Sequence, residues 1–300
     1  MRIIRPRAIT DTILTASSVP ENDYPAYSAA TTYASGNRRI VAATHQIYES
    51  LQGSNLNHYP PDSPTYWLCL GYSNRWRMFD GAVGTATSSA TDIVVDLRPG
   101  IISAIAFLGI EALSILLELN DPTAGEVYSR TISMSSEGMV VDWYSYFFQP
   151  IANTADVVVT DLPSYPAATL TITIAPLPTA AASCGMCVVG PLFSVGDLQW
   201  APQVSIIDYS RKETDTFGIT SLAVRDFVKR MECDLLVDSK NVDLCYRVLA
   251  GYRATPLVWI GSELYGCMII YGFYRRFTIV IAGPTVSACA LEIEGLISPN

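Results

Sequence analysis

Charge is scarce in this chain, and lysine is scarcer still. Only 16% of its 300 residues are Asp, Glu, Lys or Arg, against about 25% in an ordinary soluble domain. A folded monomer stays in solution through surface charge, so the shortfall implies that part of the surface is covered by other subunits. Lys212, Lys229 and Lys240 are the only lysines among 19 basic residues; the rest are arginine. Protein interfaces favour Arg, Tyr and Trp over Lys, because a planar guanidinium is weakly hydrated and can bond through two nitrogens. The 17 tyrosines agree with that preference. A GC-rich gene would raise Arg over Lys with no physical meaning, so the cations favour assembly without deciding it.

Histidine is nearly absent too, with only His45 and His58. A Ser-His or Cys-His site needs a positioned base, so it would have to lie near the N-terminus. His58 adjoins a proline loop and reads as solvated, while His45 precedes a strand. There is no Gly-x-Ser-x-Gly elbow, and Gly53, Gly71 and Gly81 make no phosphate loop. Two carboxylates can hydrolyse a glycoside, and Asp208, Glu213 and Asp215 are the closest acid cluster. Arg211 and Lys212 are interleaved with them, so a salt-bridged turn is the simpler reading. The expectation is a protein that is not an enzyme, with no catalytic residue, no cofactor and no metal. A net charge of −9 opposes phosphate binding, and Arg38-Arg39 and Arg275-Arg276 are short pairs among apolar residues. Nucleic acid is therefore not an expected partner.

Long hydrophobic runs are missing, with one partial exception. Ile101 to Leu119 is almost wholly apolar, but Glu111 and Glu118 interrupt it and Gly109 splits it. A spanning helix needs about 20 apolar residues with few charges. Two buried strands around a turn at Gly109 to Glu111 fit better, and no membrane insertion is expected. The opening residues, Met1 to Arg7, carry charge with no apolar segment behind it, so no secretory signal is visible. Seven cysteines then read as reduced thiols in a protein made in the cytoplasm. Cys184-Gly-Met-Cys187 is a lone CxxC without a second ligand pair, so buried apolar cysteines are expected.

Half of the residues are hydrophobic, and their spacing divides the chain into four stretches. Residues 1–28 hold Pro6, Pro20 and Pro25 and read as an extended arm ordered by lying on something else. Residues 29–80 are dense in aromatics and turn formers, with short strands expected at 39–43, 46–51 and 66–72. Residues 81–196 read as a run of short strands spaced by turns, the rhythm of a jelly-roll or β-sandwich. One of those strands is expected at Tyr144 to Phe148, next to Trp143. Residues 197–300 read as a β-rich, sandwich-like domain. A strand pair is expected within Leu222 to Val237, and Val242 to Arg253 has the spacing of one amphipathic helix. The fold class is mainly β.

In the second stretch, Tyr33-x-x-Gly36-Asn-x-x-Ile40, then Ile47-Tyr48-Glu-Ser, then Pro60 and Tyr66-Trp67 form an ordered set. Over residues 29–72 this set resembles the chitin-binding type 3 modules of carbohydrate-binding families 5 and 12. That resemblance implies a three-stranded unit whose aromatics stack on sugar. Here Tyr33, Tyr48 and Trp67 are the residues that would do so. A unit this small also needs aromatics as its own core, so both roles stay open for these three. The phrase Asn74-Arg-Trp-Arg-Met-Phe-Asp80 and the run Ile207 to Gly218 resemble segments of uncharacterised structural proteins of tailed bacteriophages. The third stretch resembles galactose-binding-like jelly rolls in architecture only. Together these imply a virion component of the tail tip, baseplate or neck that contacts copies of itself and other virion proteins. The alternative is an adhesin gripping host surface glycan through the small module or the jelly roll.

Overall fold

The computed structural model describes residues 1–134, 155–178, 180–214, 220–281 and 283–296. The strand expected at 144–148 with its Trp143, and Asp215 of the acid cluster, lie outside the described residues. Strands take up half of the chain, in several sheets that do not close into a barrel.

The central sandwich has five strands on one side. They run in the order β10 (Gly125–Ser133), β9 (Ser114–Asp121), β12 (Thr169–Ala175), β7 (Ile93–Leu97) and β2 (Leu14–Ser17). The other side has four, β11 (Val157–Val159), β8 (Ala104–Glu111), β13 (Ala182–Gly190) and β6 (Thr87–Ser89). Strand β12 shows why these residues make a sheet. Thr169, Thr171 and Thr173 alternate with Leu170, Ile172 and Ile174, and only the aliphatic set is buried. Strands β8 and β13 do not alternate in this way, because both their faces are covered. Ile105 and Phe107 enter the sandwich core, while Ala104 and Ala106 enter a second core behind it. This is the physical reason for the apolar run at 101–119. The turn inside that run is at Ala112-Leu113, not at 109–111. Gly109 stays within β8 at φ +60°, opposite Gly185 of β13.

A second, eight-stranded sheet follows the order β14 (Leu192–Ser194), β1 (Arg2–Ile4), β20 (Leu257–Ile260), β21 (Ile269–Val280), β22 (Val286–Gly295), β19 (Phe227–Asp238) and β15 (Asp197–Leu198). Strand β16 (Gln203–Asp208) also pairs with β19. Helix α1 (Val242–Gly251) crosses one face and buries Cys245 and Leu249 against Trp259, Leu291 and Ile293. Its span matches the amphipathic helix expected there. The opposite face lays Ile4, Val258, Ile260 and Ile269 on Ala104, Ala106, Met186 and Val188, so the two units share a core. The strand pair expected within 222–237 is the end of one strand (Thr220–Ala223) followed by the long strand β19, and the two pair with other strands, not with each other.

Residues 1–28 contain two strands, each in a different sheet. Strand β1 lies between β14 and β20, with Ile3 opposite both Phe193 and Trp259. Strand β2 pairs with β7 at the edge of the sandwich. The small unit is the three-stranded sheet β3 (Arg38–Val41), β4 (Gln46–Ser50) and β5 (Trp67–Tyr72).

Candidate functional site

The three rings expected to touch sugar are the core of the small unit. Tyr33, Tyr48 and Trp67 are 2%, 5% and 2% exposed. Tyr33 and Trp67 meet edge-on at 5.2 Å, and Tyr27 covers both. Their polar atoms are also committed. Trp67 Nε1 donates to the His58 carbonyl at 2.9 Å, the Tyr48 hydroxyl to Gln46 Oε1 at 2.7 Å and the Tyr33 hydroxyl to the Ser28 carbonyl at 3.0 Å. A stacking platform needs an open ring face, and burial leaves none here. The expectation of sugar contact at these residues is corrected accordingly. The physical cause is size, since three short strands have little else to fill their interior.

His45 sits in the turn between β3 and β4 at φ +56°. Its Nε2 is 2.8 Å from Asp11 Oδ1, its Nδ1 is 3.1 Å from Glu21, and its ring stacks on Trp76 at 4.2 Å. The nearby hydroxyl of Ser73 donates to Glu21 at 2.8 Å instead of facing the imidazole. This is a clip joining the small unit to residues 11–21 and 73–76. His58 stacks on Tyr66 and bonds Asn55 Oδ1 at 3.0 Å. Among the described residues, the side chains that partner the two rings are Asp11 and Glu21 for His45 and Asn55 for His58, and none is a Ser or Cys.

Among the acids, the Asp208 carboxyl is held below the ordinary range by the Ser210 hydroxyl and by the Ser210 amide, which donates to it at 2.7 Å. Glu213 pairs with Arg211 at 3.2 Å. Of the cysteines, Cys184 and Cys187 face the sandwich core, and burial pushes the Cys184 thiol up to about 12. Among the described residues no group of three or more His, Cys, Asp or Glu could hold a metal ion. No helix among them is long and apolar enough to cross a membrane.

Two features were not among the sites expected from the sequence. The first is a cleft of about 480 Å³ where the sandwich meets the eight-stranded sheet. Residues 82–86, the end of β8, Met186, Phe227, Lys229 and Tyr271 line it, drawn from widely separated segments. Lys229 is salt-bridged to Asp156 at its wall. The second is a β-hairpin arm. Strands β16 and β19 pair from Gln203–Glu232 to Asp208–Phe227. The hairpin then continues as β17 (Arg211–Thr214) with β18 (Thr220–Ala223). Residues 220–226 are all exposed, with Leu222 at 66% and Val224 at 70%.

The chain matches no protein-family model and no curated protein. Among solved structures it is similar to a mutant of chitosan-binding module 1 derived from a chitosanase/glucanase of Paenibacillus sp. IK-5. The identity is 11%, and the match covers 40% of this chain and 86% of that one, at a TM-score of 0.28. Overlap at that level decides neither fold nor ligand.

Proposed function

We propose that this chain is a non-enzymatic structural subunit that works through protein–protein contacts with copies of itself and with neighbouring proteins. In the setting implied by the phage-like segments, the assembly is a bacteriophage-type virion, at the tail tip, baseplate or neck. The observation that carries the reading is the hairpin arm, which displays Ile206, Leu222 and Val224 at 62%, 66% and 70% exposure. A two-stranded ribbon alone is marginally stable in water, so aliphatic side chains on its tip are placed for a partner to cover. The low charge of the chain supports the same reading.

The rival reading is glycan binding by a monomer. It would have to use rings other than Tyr33, Tyr48 and Trp67, and Trp200 is fully exposed. Light scattering of the purified chain after size separation tests the two. The expected result is a mass that is a small-integer multiple of 32.7 kDa. A monomer at every concentration that binds a defined glycan would overturn the proposal.

A further inference from the structure

We propose that copies of this chain join head to tail, with the arm tip of one copy seating Leu222 and Val224 in the junction cleft of the next. The inference rests on the assembly reading above and names its contact. On the donor side, β17 and β18 form a two-stranded sheet with no third strand among the described residues. Leu222 lies in β18 and Val224 just past its end, and both are exposed. On the acceptor side the cleft is walled by Val83, Leu108, Met186 and Phe227, and its volume falls in the range of about 300–1,000 Å³ typical of occupied sites.

Charge agrees with the fit. Glu111 at the cleft is exposed and has no cationic partner among the described residues. The arm brings Lys212, opposite Leu222 in the ladder, and Arg225, both without an acidic partner there. Such pairing sets register and orientation more than affinity.

The contact must be between copies. Phe227 and Lys229, which line the cleft, belong to the root of the same arm. At about 3.3 Å per residue, Leu222 lies roughly 16 Å further out along the hairpin. In the structure both Leu222 and Val224 are exposed, so the tip does not fill the cleft of its own chain. A projecting element and a cleft at different places on one surface make a heterologous contact, which closes into a ring or runs on as a filament.

Cross-linking in trans tests this. The exposed Cys69 and Cys267 are first replaced by Ser. One preparation then carries Val224→Cys and the other Ala82→Cys, at the cleft. Oxidation is expected to link the chains when the preparations are mixed, and neither alone. A link formed by the Val224→Cys preparation alone would mean a two-fold, arm-to-arm contact and would overturn the proposal. No link in an oligomer that persists would overturn the arm–cleft contact and leave the assembly reading standing, whereas a monomer at every concentration would remove both. In the unlinked chain, Leu222→Asp is expected to weaken association at least tenfold with an unchanged melting temperature. An unchanged association constant would also overturn the proposal.

Discussion

Five of the seven thiols, Cys184, Cys187, Cys233, Cys245 and Cys289, are buried, and only Cys69 and Cys267 are exposed. Burial pushes the Cys184 and Cys233 thiols up to about 12 and Cys289 to about 11. The thiolate is the reactive form, so a native chain is expected to take up two maleimides and a denatured one all seven, counted by mass. Labelling of Cys184 in the native chain would show that the sandwich opens. Asp80 is the acid whose burial has a pH signature. Desolvation raises its carboxyl above the ordinary 3.8, against the pull of hydrogen bonds from the Ala82 amide and the Thr85 hydroxyl. The folded state therefore favours the protonated form. The stability this adds is fully present below about pH 3.8 and is lost as pH rises through the raised folded value. Asp80→Asn keeps a carbonyl for the Ala82 amide and turns its NH2 toward the Thr85 hydroxyl, which can accept instead. It should flatten that part of a plot of urea midpoint against pH.

Among the elements, β1 has the largest effect for its length. Its three residues put Ile3 in the core under α1 and Ile4 in the core shared with the sandwich, both fully buried. Gly190 has no side chain where a Cβ would collide with the Arg5 carbonyl, so the chain leaving β1 can run against β13. Ile3→Ala is expected to cost about 2–5 kcal/mol, while Ile281→Ala, at 73% exposure, should stay within about 0.5 kcal/mol. Denaturant unfolding of both variants separates them. Sequence spacing made α1 visible, because one face of it is polar, and the apolar run at 101–119 made β8 and β9 visible as a buried pair. It left β1 inside an apparent arm, since three residues cannot show a period. It paired the end of β18 with β19, whereas each pairs with other strands.

For the whole molecule, the three stacked sheets predict the melting behaviour. Ile4, Val258 and Ile260 of the eight-stranded sheet pack directly on Ala106 and Val188 of the sandwich, so neither unit can open without exposing the other's apolar face. Calorimetry is expected to show the two melting in one transition. Two separated transitions would mean that the shared core contributes little to stability.

The sequence by itself determined the mainly-β class, the single helix among the described residues and the three-stranded unit, because each follows from local period, turn residues and composition. It also placed the aromatics of the small unit together while leaving their role open. Only the tertiary structure decided that role, because whether Tyr33, Tyr48 and Trp67 face solvent depends on what packs over them. The junction cleft and the projecting arm were likewise decided there. One is walled by segments far apart in the chain, and the other is defined by the absence of neighbours, which no local pattern encodes.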